Sequence, residues 1–71
     1  MDTNAEILVD KRTIDEIISR NEGKPGMLLT SMEEIQEANE YKFLDPQSME
    51  HLSYRTKVPL SQIYSVATFY S

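Results

Sequence analysis

The stretch of sequence that decides the fold is Val58-Pro59-Leu60-Ser61-Gln62-Ile63-Tyr64-Ser65-Val66-Ala67-Thr68-Phe69-Tyr70-Ser71. Its apolar residues recur at positions i, i+3, i+4 and i+7, which is the spacing of one face of an α-helix. These residues are Ile63, Val66, Ala67 and Tyr70. The stretch therefore predicts an amphipathic helix that starts within Pro59–Ser61 and packs this face on a small helical core.

Phe69 does not belong to this apolar face. On a helical wheel it falls about 120° from the centre of the stripe, on the side of Gln62 and Ser65. An exposed aromatic residue in a small domain is typical of an interface, so we expect this second face to contact another domain or subunit. The candidate interface residues are Gln62, Phe69 and Tyr70. The alternative is that the helix end frays and Phe69 folds back onto its own domain.

The rest of the chain is divided by three breaks rich in glycine or proline into segments of helical length. The breaks are Gly23-Lys24-Pro25-Gly26, Leu44-Asp45-Pro46 and Val58-Pro59. This division predicts an all-α fold, a small bundle of three to four short helices. We assign residues 1–12 to an N-terminal arm and residues 13–71 to the helical bundle domain.

The first helix is predicted to begin at Thr13, because Thr13 and Glu16 have the spacing of a capping box. It is predicted to end near Glu22, with Gly23 in the left-handed conformation that follows many helices. The second helix is predicted from about residue 27 to residue 39, and its core face contains Leu28, Met32 and Ile35. The hydrophobic connector that follows, residues 41–44, is expected to fold back over the bundle.

The third helix has the clearest start and the weakest apolar face. Asp45 is a favoured N-cap, and Pro46 at the first helical position loses no hydrogen bond. The helix is predicted to run to about Lys57. Its apolar face contains only Met49 and Leu52, so we expect it to be the least well packed of the helices.

Composition excludes several classes of function. The chain has 71 residues, a net charge of −5, no cysteine and one histidine, so neither a disulfide framework nor a metal site is expected. Its basic residues are dispersed, which argues against nucleic-acid binding. No apolar run approaches the roughly 20 residues of a membrane helix. We therefore expect no membrane insertion and a cytoplasmic protein.

Individual polar residues do not indicate catalysis. The carboxylate groups, among them Glu33 and Glu34, lie on the polar faces of the predicted helices and are interpreted as solvated surface rather than acid–base pairs. His51 is interpreted as a surface histidine without a catalytic role. Ser48, near a helix start, is reminiscent of the modified serine of acyl carrier proteins, but the residues before it do not match. A helix-turn-helix interpretation of residues 61–67 lacks basic flanks.

The Ala67-Thr68-Phe69-Tyr70 ending resembles the end of the N-terminal helical domain in the thioredoxin-like [2Fe–2S] subunit family. That family includes flavoprotein-associated subunits of respiratory complex I (NADH:quinone oxidoreductase), of NAD(P)-linked hydrogenases and of formate dehydrogenases. Residues 14–18, 32–36 and 43–44 fit its first two helices and its connector. Two positions depart from the family pattern, with Lys57 where many relatives have glycine and Thr56 where an apolar residue is common. Residues 37–43 also form a longer segment than usual.

The resemblance implies a non-catalytic assembly role within an NAD(P)H oxidoreductase. In the family the helical domain packs on the NADH- and FMN-binding flavoprotein subunit, and it positions a thioredoxin-like domain whose four cysteines bind a [2Fe–2S] cluster. The resemblance therefore implies no cofactor in this chain, a [2Fe–2S] cluster in its parent, and FMN and NAD(P) on the partner subunit. The resemblance is compatible with a cytoplasmic chain that is peripheral to a membrane complex.

The apolar pattern of the last helix still runs at Ser71, and no glycine, proline or basic turn closes it. We therefore expect the chain to be a piece of a longer subunit that continues into the cluster-binding domain. The alternative function is a stand-alone small acidic helical adaptor or a carrier-like protein.

Overall fold

The computed structural model describes residues 7–70, except for the side chain of Tyr70. These residues form four helices: α1 (Lys11–Asn21), α2 (Met27–Ala38), α3 (Pro46–Thr56) and α4 (Leu60–Tyr70). The described part of the chain contains no β-strand. The predicted all-α fold of short helices is thus confirmed. Residues 1–6 of the predicted arm lie outside the described residues.

Helix α1 begins earlier than its sequence pattern predicts. The N-cap is Asp10, whose Oδ1 accepts a hydrogen bond from the backbone N–H of Arg12 at 3.1 Å. The capping-box start at Thr13 is therefore wrong, because an aspartate three residues upstream already caps the helix. Val9, which we assigned to the arm, is buried in the core. At the other end the prediction is confirmed, since Gly23 has a φ of 79° directly after the helix and its cap.

Helix α2 matches its prediction, but the connector after it matches only in part. Met32 and Ile35 are completely buried on the predicted core face. Tyr41 and Phe43, by contrast, are 60% and 43% exposed, so these two residues do not fold back over the bundle, whereas Leu44 packs against the core. Polar groups close the base of this loop instead, since Asn39 Nδ2 donates to Asp45 Oδ1 at 3.2 Å. This closure makes the connector a tight turn that leaves both rings outside.

Helix α3 is well packed, contrary to the prediction from its weak apolar face. It packs against α1 and also against α4, and Leu52 is 0% exposed. The apolar pattern underestimated how well α3 is packed, because two of its polar residues are also buried or nearly buried. The Ser48 hydroxyl is buried and donates to Asp45 Oδ1 at 2.7 Å, while His51 is paired with a residue of α1. Small or paired polar side chains can pack without the cost of an unsatisfied group.

The core contains side chains from all four helices and from the segment before α1. It comprises Val9, Ile14, Ile17, Ile18, Met32, Ile35, Met49, Leu52 and Ile63. Helix α4 contributes one completely buried residue, Ile63, and the partly buried Val66 and Ala67 pack against the same cluster. The predicted stripe of α4 therefore does face the bundle. Its last member, Tyr70, has a side chain outside the described part of the structure.

Candidate docking surface

The outer face of α4 is the candidate docking surface, which we define as Gln62, Tyr64, Ser65, Thr68 and Phe69. Phe69 is 94% exposed, and Gln62 and Ser65 are exposed beside it. Phe69 therefore does not fold back onto its own domain. The buried Ile63 fixes the opposite side of the helix against the core, so the orientation of this outer face is set by packing.

Two residues of this surface were not selected from the sequence. Tyr64 is 41% exposed, and with Ser65, Thr68 and Phe69 it lines a shallow groove of about 440 Å³. The signal for Tyr64 and Thr68 was present, since residues four apart lie on the same side of a helix. Of the residues predicted as the interface, Gln62 and Phe69 share the outer face. The assignment of Gln62, Phe69 and Tyr70 to an interface stays a prediction.

The interface between α1 and α3 contains a polar cluster that ties the two helices together. His51 Nε2 lies 2.8 Å from Asp15 Oδ1, and Arg55 Nε lies 3.5 Å from the same oxygen. The His51 side chain is only 13% exposed. The interpretation of His51 as a surface histidine is therefore wrong. Its chemical role is to bridge helices, because a proton on Nε2 is shared with a carboxylate of the other helix.

The carboxylate groups that we interpreted as solvated surface differ in their environments. Glu34 Oε1 accepts from Arg20 Nη2 at 2.6 Å and so links α2 to α1, while Glu37 and Glu40 are exposed. Both members of the Arg20–Glu34 pair are partly exposed, and such pairs contribute about 0–1 kcal/mol to stability. These contacts position helices and do not form an acid–base site.

Ser48 is in an environment that does not suit a carrier protein. A serine that receives a prosthetic group must be accessible, whereas Ser48 is 2% exposed. Its hydroxyl donates to Asp45 Oδ1 and its backbone N–H donates to Asp45 Oδ2 at 3.0 Å. Ser48 thus takes part in the hydrogen bonds that cap the start of α3. The carrier-like alternative has no accessible attachment serine at this position.

A second concave region lies between the segment before α1, helix α1 and helix α3. This groove has a volume of about 580 Å³ and is lined by Ile7, Val9, Lys11, Ile14, Gln47, Glu50, His51 and Tyr54. The sequence did not indicate it, because it is formed by three segments that meet only in the folded chain. Its lining mixes apolar side chains with charges of both signs and offers no specific chemistry.

The described residues form a small all-α domain in which the outer face of α4 exposes the aromatic ring of Phe69. The chain belongs to the thioredoxin-like [2Fe–2S] ferredoxin family, whose sequence model matches residues 14–71. A search of curated proteins and a search of solved structures each found no match. The family assignment agrees with the resemblance of the Ala67-Thr68-Phe69-Tyr70 ending and extends it across all four helices.

The family implies a [2Fe–2S] cluster, and the residues of this chain do not fit one. Such clusters are held by cysteine thiolates, with histidine as a replacement for two of them in some centres. This sequence has no cysteine and one histidine. Within residues 7–70 no three His, Asp or Glu side chains are grouped so that they could hold a metal ion. The cluster of the family therefore has no ligands in this chain.

The helices described here are also too short or too polar for a membrane. None within residues 7–70 has the length and hydropathy that crossing a bilayer requires.

Proposed function

We propose that this chain is the helical docking domain of an NAD(P)H-linked iron–sulfur oxidoreductase, of the complex I type or of the bifurcating hydrogenase or formate dehydrogenase type. The domain packs on the NADH- and FMN-binding flavoprotein subunit and positions a thioredoxin-like [2Fe–2S] domain for electron transfer. It has no catalytic role of its own. Membership of the thioredoxin-like [2Fe–2S] ferredoxin family supports the link to electron transfer.

The observation that carries the docking role is the exposure of Phe69. Leaving an aromatic ring 94% exposed gains nothing for the fold, because the hydrophobic effect rewards only area removed from water. The ring also stands on a helix that is held on its other side by the completely buried Ile63. An aromatic side chain has few rotatable bonds, so it loses little conformational entropy on binding, and it is a common anchor of protein interfaces.

The polar residues of the α1–α3 interface support this role, because they hold in place the helices on which α4 packs. Asp15, His51 and Arg55 connect α1 to α3, and α3 in turn packs against α4. The position of α4 relative to the rest of the domain is therefore determined by packed and hydrogen-bonded neighbours. A rigid platform of this kind is suited to holding two other protein bodies at a constant separation, which electron transfer between them requires.

The test is the Phe69→Ala variant. We expect its affinity for the NADH- and FMN-binding subunit of the same organism to fall about 30-fold or more, as for loss of an interface hot spot. Its free energy of unfolding should change by less than about 0.5 kcal/mol, because the ring makes little contact within the domain. Isothermal titration calorimetry measures the first quantity and urea denaturation the second.

The matched control is Tyr41→Ala, which removes another exposed aromatic ring, from the connector between α2 and α3. We expect this variant to bind the flavoprotein subunit like the unaltered chain. Equal loss of affinity in both variants would show a non-specific apolar contact. Loss of stability in Phe69→Ala would assign Phe69 to the core. A complete lack of binding by the unaltered chain would favour the stand-alone adaptor.

A further inference from the structure

Residues 58–71, which include helix α4, contain no charged side chain. Every Lys, Arg, Asp and Glu of the chain lies at or before Lys57, although charged residues make up 27% of the sequence. The outer face of α4 could carry charges at no cost to the fold, because Gln62, Ser65 and Phe69 are all exposed. Exposed helix positions are occupied by charged residues in most domains, and depletion of charge is a property of interface centres.

We propose that α4 recognises the flavoprotein subunit through uncharged contacts alone. Phe69 enters an apolar pocket of the partner, and the amide of Gln62 and the hydroxyl of Ser65 make neutral hydrogen bonds around it. The partner surface that receives α4 is accordingly apolar at its centre and has no net charge. This inference rests on the docking role proposed above and adds the chemistry of the partner.

The charge distribution argues against a charged partner surface at this site. A Lys or Arg of a partner placed against α4 would lose its hydration and find no carboxylate on the helix, and burial of an unpaired charge is strongly unfavourable. A basic partner would instead meet the acidic residues of α1 to α3, such as Glu16, Glu37 and Glu50, which are exposed. The net charge of −5 therefore resides entirely outside the proposed contact.

The size of α4 argues against a second copy of this chain as the occupant. The helix has 11 residues, which makes it about 16 Å long. Two such helices packed on each other would bury far less than the roughly 800 Å² per partner that stable complexes bury. A larger protein can cover the outer face of α4 with a concave groove and contact the neighbouring surface as well, as in other helix-in-groove complexes.

The test is the pair Ser65→Lys and Ser65→Gln, with Ser19→Lys as the control. Lys and Gln have similar lengths and helix propensities, so the pair isolates the effect of a charge at the contact. Ser19 is an exposed serine on α1, outside the docking surface. Affinity for the flavoprotein subunit is measured by calorimetry, and the helical content of each variant is checked by circular dichroism.

We expect Ser65→Lys to weaken binding about tenfold or more, because an ammonium group would be desolvated in an apolar contact. Ser65→Gln should bind within about threefold of the unaltered chain, as should Ser19→Lys, which lies outside the contact. The dissociation constant of the unaltered chain should change by less than about threefold between about 0.05 M and 0.5 M NaCl, since no ion pair is screened.

Three results would overturn the inference while leaving the docking role intact. They are unweakened binding by Ser65→Lys, equal weakening by Ser65→Gln, and an affinity that falls by about tenfold or more with salt. Dimerisation of the chain that is abolished by Ser65→Lys, seen by analytical ultracentrifugation, would replace the flavoprotein subunit with a second copy as the occupant. Absence of binding by the unaltered chain at every salt concentration would instead remove the proposed function itself.

Discussion

Lys57 ends helix α3 in a backbone conformation that lysine rarely adopts. Its φ is 65°, in the left-handed region, and its backbone N–H donates to the carbonyl of Ser53 at 2.9 Å. In this region the Cβ of an L-residue approaches a carbonyl oxygen, which costs about 1–2 kcal/mol, whereas glycine has no Cβ and no such cost. A glycine, which the family resemblance led us to expect at this position, would therefore suit the geometry better than lysine does.

We predict that Lys57→Gly is more stable than Lys57→Ala by about 1 kcal/mol. Both variants remove the ammonium group, which lies 5.4 Å from the centre of the Tyr54 ring, so their difference reports the backbone preferences of residue 57 and not the loss of this contact. Urea denaturation followed by circular dichroism gives the free energy of unfolding of each variant. Equal stabilities would show that residue 57 is not held in the left-handed region in solution.

Thr56, where the family resemblance led us to expect an apolar residue, uses its hydroxyl at the end of α3. The hydroxyl donates to the carbonyl of Leu52 at 2.7 Å and accepts from the backbone N–H of Val58 at 3.3 Å. It thereby gives a partner to an N–H in the connector to α4, and its bond to Leu52 is the i−4 bond that threonine often makes in helices. An apolar residue at this position could not do either.

At the scale of the elements, α1 and α3 both begin at an aspartate, but the two caps differ in burial. Asp10 is exposed and accepts one backbone N–H, from Arg12. Asp45 is buried and accepts from Asn39 Nδ2 as well as from the hydroxyl and the backbone N–H of Ser48. The Asp45 carboxylate therefore joins the end of α2 to the start of α3 and is more than a local cap.

We predict that Asp45→Ala lowers the free energy of unfolding by about 2–4 kcal/mol and Asp10→Ala by about 0.5–1 kcal/mol. The larger loss follows because the Asn39 amide and the Ser48 hydroxyl would remain buried without an acceptor. Both variants remove an N-cap, so the difference between them measures the buried network. Equal losses in urea denaturation would mean that Asp45 acts as a cap only.

At the scale of the whole molecule, a small domain depends on few core residues. Leu52 is completely buried on α3, the helix that contacts both α1 and α4. A chain of 71 residues is expected to have a free energy of unfolding of about 4–10 kcal/mol. Loss of a single central side chain therefore removes a large share of this free energy of unfolding.

We predict that Leu52→Ala costs about 2–5 kcal/mol and leaves a detectable unfolded population at 25 °C. Leu29→Ala is the control, because Leu29 is 39% exposed on α2 and its truncation should cost less than about 1 kcal/mol. Thermal unfolding by circular dichroism ranks the two variants. A similar melting temperature for both would contradict the central position of α3.

The boundaries of α2, α3 and α4 and the two faces of α4 could be read from the sequence. Helix periodicity, an aspartate cap, a proline at the first position and a glycine after the last turn act through neighbours within about four residues. For the same reason Phe69 could be separated from the stripe that contains Ile63. The start of α1 was misplaced because Asp10 and Thr13 are both good caps, and local pattern alone does not rank them.

What the sequence by itself determined was therefore a four-helix, all-α chain with an uncharged last helix and an aromatic ring on its outer side. Only the tertiary structure decided that α3 lies between α1 and α4, that Tyr41 stays outside the core, and that His51 bridges helices. The physical reason is distance along the chain. His51 and Asp15 are 36 residues apart, and a polar side chain that the helix pattern places in solvent can become largely covered when a distant residue forms its hydrogen bond.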